Sequence, residues 1–174
     1  MTTLKSQSNR VLELDIEKLK KSYRKQEVTS LILMLVALPI FGIVYLYYTS
    51  GNLDWDLPQI PDFFRGLMIG SGYGLLIGQF FIFRDELKRA KSENVFEGKV
   101  MQYLRASQKR VGFLFLISLI SAVGLLFFQS AWFVIMFALA LVFFSLAKVT
   151  PDRMKRLLKL SKEEGEIARL ISRP

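Results

Sequence analysis

The chain has 174 residues, of which 52% are hydrophobic, and it carries a formal net charge of +9. It contains neither cysteine nor histidine, which excludes disulfides, thiol nucleophiles, imidazole bases and the usual zinc and haem ligands. The hydrophobic residues are gathered into long uncharged runs between basic segments. We therefore expect an all-α polytopic membrane protein with four transmembrane helices and amphipathic cytoplasmic helices, and no binding to nucleic acid.

The N-terminal part of the chain predicts a charged helix followed by a membrane span. Residues 1–28 are charged throughout, and their apolar positions recur at helical spacing: Leu12, Ile16, Leu19 and Tyr23. Residues 29–49 carry no charge, and about 20 apolar residues suffice to cross a bilayer. Pro39 lies in the middle of this run, where it predicts a kink. The charged start and the length of the run argue against a cleavable signal peptide.

The second predicted span, 66–83, is distinguished by its glycines. Four of them recur at intervals of four residues: Gly66, Gly70, Gly74 and Gly78. Glycine costs roughly 1 kcal/mol relative to alanine inside a helix, so this regular series needs a reason. A row of glycines lets a second helix backbone approach closely, which is how helices associate in lipid. The row predicts an interface for helix packing or oligomerisation.

Two partners are open for that glycine row. It packs either against another span of the same chain or against a second subunit, and a pore wall is a special case of the second arrangement. The third span offers small residues that could serve as the internal partner: Ser118, Ser121, Ala122 and Gly124. Gly72 lies on the other side of the second span, near Gln79. Gln79 is expected either to bond across helices or to line a pore.

The run 111–147 predicts a hairpin of two spans. As a single helix it would measure about 55 Å, far more than a bilayer. Basic residues flank it at both ends, which requires an even number of crossings. We place the break at residues 128–132, which gives one span at 111–128 and another at 129–147.

The distribution of charge predicts the orientation. The segments 1–28, 84–110 and 148–174 contain 23 of the 24 Lys and Arg residues, whereas 50–65 contains only Arg65 and is otherwise acidic. By the positive-inside rule, both termini and the middle loop are cytoplasmic, in an inner or plasma membrane. The expected contacts with anionic headgroups are Lys20, Lys21, Arg24, Lys109, Arg110 and Lys148. The expected anchors at the opposite interface are Trp55 and Trp132.

The segments 84–110 and 148–174 predict further helices. The first is expected to extend the second span, to break near residues 92–94 and to resume toward the third span. The second is expected to begin at Thr150 and Pro151, with Gly165 as a candidate break. These amphipathic helices either lie on the membrane surface or pack together as a cytoplasmic bundle.

The predicted organisation has eight parts: a cytoplasmic N-terminal helix (1–28), a first span (29–49), an external acidic loop (50–65), a second span (66–83), a cytoplasmic basic loop (84–110), a third span (111–128), a fourth span (129–147) and a cytoplasmic C-terminal helix (148–174).

The residues present favour a non-enzymatic function without cofactors. The chain has no metal-ligand spacing, no phosphate-binding loop and no pairing of a nucleophile with a base. The predicted spans hold no Asp, Glu, Lys, Arg or His, which disfavours an ion-coupled transporter. The expected function is an assembly or scaffold subunit that self-associates, or docks with a partner membrane protein, through the glycine-rich helix and the cytoplasmic helices. The alternatives are an oligomeric ion channel or membrane-permeabilising effector, and an accessory subunit of a larger complex.

Overall fold

The computed structural model describes residues 2–51, 58 and 60–172, with side chains described from residue 16 onward. All regular structure in these residues is helical, as the sequence predicts. The six helices are α1 (Thr2–Thr49), α2 (Asp62–Ser92), α3 (Phe96–Phe128), α4 (Ala131–Ala147), α5 (Pro151–Leu158) and α6 (Lys162–Ser172).

Three of these helices are long and apolar enough to cross a membrane: α1 over Ile16–Thr49, α2 and α3. The fourth candidate, α4, has 17 residues and reaches the required length only when it is taken together with α5. An all-helical chain with three or four candidate spans fits a membrane protein, so the coarse expectation is confirmed. The count of four spans remains a prediction.

Several helix ends lie at or within two residues of the expected breaks, whereas the expected boundary at residue 28 lies inside a helix. The predicted N-terminal helix and first span belong to one continuous helix over Thr2–Thr49, which includes Pro39. Ser92 ends α2 where a break is expected, and the turn after α3 places Gln129 at a φ of 47°. This turn lies within residues 128–132, and α4 begins two residues later than the predicted span.

Gly165 does not break the C-terminal helix, contrary to expectation. The break comes earlier, at Lys159, which adopts a left-handed φ of 53° at the end of α5. Gly165 lies inside α6, where a Cβ would be 2.9 Å from Cδ of Lys155. The absence of a side chain at Gly165 thus lets α6 approach the aliphatic stem of Lys155 on α5.

Side-chain caps fix the starts of both short helices. The backbone N–H of Arg153 donates to the Thr150 hydroxyl at 3.4 Å, next to the predicted Pro151 start. The Ser161 and Glu164 side chains each accept a backbone N–H of the other residue, at 3.2 and 2.8 Å, which is a reciprocal capping box. The hydrogen bond from the Ser161 backbone lowers the pKa of Glu164 below its usual value.

The chain divides into two compact units, to which α1, α2 and α3 each contribute. One unit, called here the apolar unit, comprises Ser30–Ile82 and Lys109–Lys148. The other, called the basic unit, comprises Met1–Thr29, Phe83–Gln108 and Val149–Pro174.

The core of the apolar unit is built mainly from α3 and α4. Leu114, Ile117 and Leu125 of α3 are fully buried, and so are Phe133 and Met136 of α4. One side of α1 packs against this core. The Phe41 ring of α1 stacks on the Phe137 ring of α4, with centroids 3.8 Å apart. The exposed surface of this unit also carries many large apolar side chains, which fits a membrane protein.

The basic unit has its own hydrophobic core. The buried residues are Leu19, Tyr23, Ala90, Val100, Tyr103, Leu104, Val149, Met154, Leu158, Leu160, Ala168 and Ile171. The Tyr23 hydroxyl donates to the Val149 carbonyl at 3.0 Å, and burial, with Glu27 and Tyr103 nearby, raises the pKa of Tyr23 to about 12. A half-buried ion pair joins Lys99 of α3 to Glu164 of α6 at 3.6 Å. The amphipathic segments of this unit therefore pack against one another.

Candidate interaction surfaces

The predicted glycine row lies on an outer face of α2. Gly66, Gly70 and Gly74 are exposed and Gly78 is half-buried. A Cβ built at any of the four would meet no atom within 4 Å beyond the local helix backbone. Among the described residues of the chain, therefore, no neighbouring atom lies where a Cβ at these glycines would need space, and the partner of the row remains a prediction.

Bulky side chains share the outer face with the glycines. At about 100° per residue, Phe63 and Leu67 project beside the first glycines, and Ile77 and Phe81 beside the last. These four side chains are between 55% and 74% exposed. The face thus has large side chains at its two ends and a glycine floor between them. We call this set of eight residues the glycine face: Phe63, Gly66, Leu67, Gly70, Gly74, Ile77, Gly78 and Phe81.

The opposite side of α2 packs into the apolar unit. Gly72, Leu76 and Gln79 are buried there. A Cβ at Gly72 would collide with the sulfur of Met136 on α4, so this glycine permits a close contact between α2 and α4. The sequence does not identify Met136 as the side chain that Gly72 faces.

Gln79 bonds across helices within the apolar unit. The Arg110 Nε–H on α3 donates to Gln79 Oε1 at 3.1 Å. Gln79 is only 1% exposed, and its Nε2 has no hydrogen-bond partner among the described residues. The hydrogen bond therefore joins α2 to α3, and whether Gln79 also lines a pore remains a prediction.

We expect Gln79→Leu to destabilise the apolar unit by about 1–2 kcal/mol. Hydrogen bonds to charged groups contribute about 1.5–3 kcal/mol in soluble proteins, whereas bonds between membrane helices average nearer 0.6 kcal/mol. A double-mutant cycle with Arg110→Leu, read as free energies of unfolding in detergent, isolates the pair. Additive losses in the double variant would show that the two side chains are not coupled. Gln108→Leu, at an exposed position of α3, serves as the control.

The small residues of α3 face the core instead of the glycine face. Ser118 and Ser121 are buried, and their hydroxyls donate to the carbonyls of Leu114 and Ile117 at 2.9 and 2.8 Å. A Cβ at Gly124 would overlap the ring of Phe133 on α4. Gly124 therefore permits the close approach of the two arms of the hairpin.

The predicted anchor residues are accessible wherever they are described. Lys21, Arg24, Lys109 and Lys148 are exposed, while Lys20 and Arg110 are half-buried. Trp132 is 58% exposed near the start of α4, where its backbone carbonyl accepts a hydrogen bond of 3.4 Å from the Tyr73 hydroxyl. Trp55 lies outside the described residues. Contact of these side chains with headgroups remains a prediction.

No group of three or more carboxylates that could hold a metal ion occurs among the described residues. Among the described residues of the apolar unit, at least two clefts have the size of small-molecule sites. One, of about 400 Å³, is an apolar groove along α2 and α4 that shares Ile77 and Phe81 with the glycine face. The other, of about 560 Å³, lies between the start of α2 and the end of α3.

Comparison of this chain with protein-family models, with curated proteins and with solved structures finds no match. The function must therefore be argued from the surfaces described above.

Proposed function

We propose that this chain is a non-enzymatic membrane assembly subunit that self-associates through the glycine face of α2. The observation that carries the proposal is the orientation of the glycine row. Four glycines in register weaken α2 by roughly 1 kcal/mol each relative to alanine, and none of them packs within the described chain. A second helix seated on the glycine face would offset that cost.

A second copy of the chain is the partner that we favour. In a two-fold pair the same surface serves both subunits, so no separate complementary surface is required. Two α2 helices crossing at about −40° would touch at Gly70 and Gly74 and diverge toward both ends. That divergence leaves room for Phe63 at one end and Phe81 at the other.

The proposed orientation places the basic unit in the cytoplasm. It rests on the sequence, in which 23 of 24 basic residues lie outside the spans on one side. The packed core of the basic unit and its exposed Lys and Arg residues make it a candidate docking surface for a partner membrane protein or for anionic headgroups.

Subunit stoichiometry tests the proposal. Native mass spectrometry of the intact chain, released from lipid nanodiscs, is expected to show a defined homo-oligomer over a range of protein concentrations. A monomer at every concentration would contradict self-association. Ion flux in liposomes containing the same preparation tests the channel alternative, and our proposal predicts no flux above that of empty liposomes.

A further inference from the structure

Arg65 departs from the charge pattern of the rest of the chain. It is the one basic residue in the predicted external loop, and the other 23 lie in the three segments predicted to be cytoplasmic. The positive-inside bias disfavours such a residue. Arg65 also lines the cleft of about 560 Å³ between the start of α2 and the end of α3.

The cleft combines a charged pair with aromatic side chains. It is lined by Ile60, Pro61, Asp62, Arg65, Phe127 and Phe128. Its volume of about 560 Å³ lies within the usual range for small-molecule sites, roughly 300–1,000 Å³. The Phe128 ring stacks on the buried Phe133 ring, with centroids 6.2 Å apart.

The charged pair is available to a ligand. Arg65 Nη1 lies 3.6 Å from Asp62 Oδ1, which is an ion pair but too long for a hydrogen bond. The two side chains are 48% and 83% exposed. An exposed pair of this kind contributes little to stability, so exchanging the internal partner for a ligand costs little.

We propose that this cleft binds the phosphoethanolamine headgroup of a membrane phospholipid. The Arg65 guanidinium matches the phosphate, to which it can donate two parallel hydrogen bonds. The Asp62 carboxylate, three residues away on the same helix, accepts hydrogen bonds from the primary ammonium. Phe127 and Phe128 contact the glycerol and the upper acyl chains.

The same chemistry disfavours the other common headgroups. The quaternary ammonium of a choline lipid has no N–H, so it cannot donate to the Asp62 carboxylate the hydrogen bonds that a primary ammonium donates. A headgroup with only negative charge would meet repulsion from the Asp62 carboxylate. Asp62 therefore selects the primary ammonium, and Arg65 supplies the attraction for the phosphate.

Lipid titration by native mass spectrometry tests this site. Phosphatidylethanolamine, phosphatidylcholine and phosphatidylglycerol of identical acyl chains are titrated onto the delipidated protein. The wild type should retain one phosphatidylethanolamine per subunit more tightly than either competitor. Arg65→Gln should weaken that binding about tenfold, as expected for loss of a charge-assisted contact. Asp62→Asn should reduce the preference over phosphatidylcholine.

The matched controls are Arg89→Gln and Asp85→Asn, which alter an exposed ion pair of 3.1 Å elsewhere on α2. These controls should bind phosphatidylethanolamine as the wild type does. No preference in the wild type, full retention by Arg65→Gln, or an equal loss in the controls would each overturn the site.

Two further experiments test whether the cleft binds a soluble ligand instead of a lipid and whether the site is shared between subunits. Soluble phosphoethanolamine at the same concentration should not displace the lipid, and displacement would mean that the cleft binds a free zwitterion instead. Gly70→Leu should retain the selective lipid, because the cleft lies outside the glycine face. Loss of the lipid in that variant would contradict a site formed within one subunit.

Discussion

Gly70→Leu and Gly74→Leu are each expected to convert the homo-oligomer to monomer without unfolding the chain. Either leucine would fill the glycine floor on which the second subunit sits. We expect a loss of about 2 kcal/mol or more per interface, roughly a thirtyfold change in affinity, which is typical of a central interface position. The monomer should not suffer, because a Cβ at either position meets no atom within 4 Å and leucine favours the helix over glycine by about 1 kcal/mol.

The control for these substitutions is Gly112→Leu. Gly112 is an exposed glycine of α3, and a Cβ there also meets nothing within 4 Å. Gly112→Leu changes side-chain volume and helix propensity by the same amount as Gly70→Leu and Gly74→Leu. Because Gly112 lies outside the glycine face, this variant should remain oligomeric. Native mass spectrometry gives the stoichiometry, and circular dichroism in detergent gives the melting temperature. An oligomer that survives both Gly70→Leu and Gly74→Leu would place the subunit interface elsewhere.

Gly124→Leu is expected to destabilise the α3–α4 hairpin by up to about 2 kcal/mol net. Any side chain at this position overlaps the ring of Phe133, which is fully buried and cannot turn away. Overpacking of a tight core typically costs about 1–3 kcal/mol, which exceeds the gain in helix propensity of roughly 1 kcal/mol. The measurement is the free energy of unfolding in detergent.

Two companion variants make the hairpin prediction specific. Phe133→Ala in the Gly124→Leu background should restore part of the loss, because it removes the overlapping ring. Gly72→Leu should cost less than Gly124→Leu, since its obstacle is the flexible Met136 side chain instead of a ring. Equal stability of Gly124→Leu and the wild type would mean that α3 and α4 are not in close contact there.

The local features of the fold could be predicted because they depend on neighbouring residues. The uncharged runs indicate the candidate spans, the basic flanks of 111–147 require a turn, and Thr150 with Pro151 marks a helix start. The structure contains a turn at Gln129 and the Thr150 cap. The capping box of Ser161 and Glu164 was not predicted, although it has a sequence signal, a serine followed three residues later by a glutamate.

The contacts between helices could not be predicted, for a physical reason. In a soluble helix the polar residues mark the outer face, but in a membrane span both faces are apolar. The sequence therefore shows that the glycines share one face of α2 without showing whether that face points inward. The pairing of Gly124 with Phe133 and that of Gln79 with Arg110 likewise depend on how the helices meet.

The most direct test of the central claim is disulfide cross-linking in native membranes. The chain has no cysteine, so single variants have no background. A disulfide requires Cα atoms about 4.4–6.8 Å apart, which only closely packed helices provide. Gly74→Cys is predicted to yield a covalent dimer under mild oxidation, and Gly112→Cys is predicted to remain monomeric. A Gly74→Cys variant that stays monomeric, or that cross-links no more than Gly112→Cys, would contradict self-association through the glycine face.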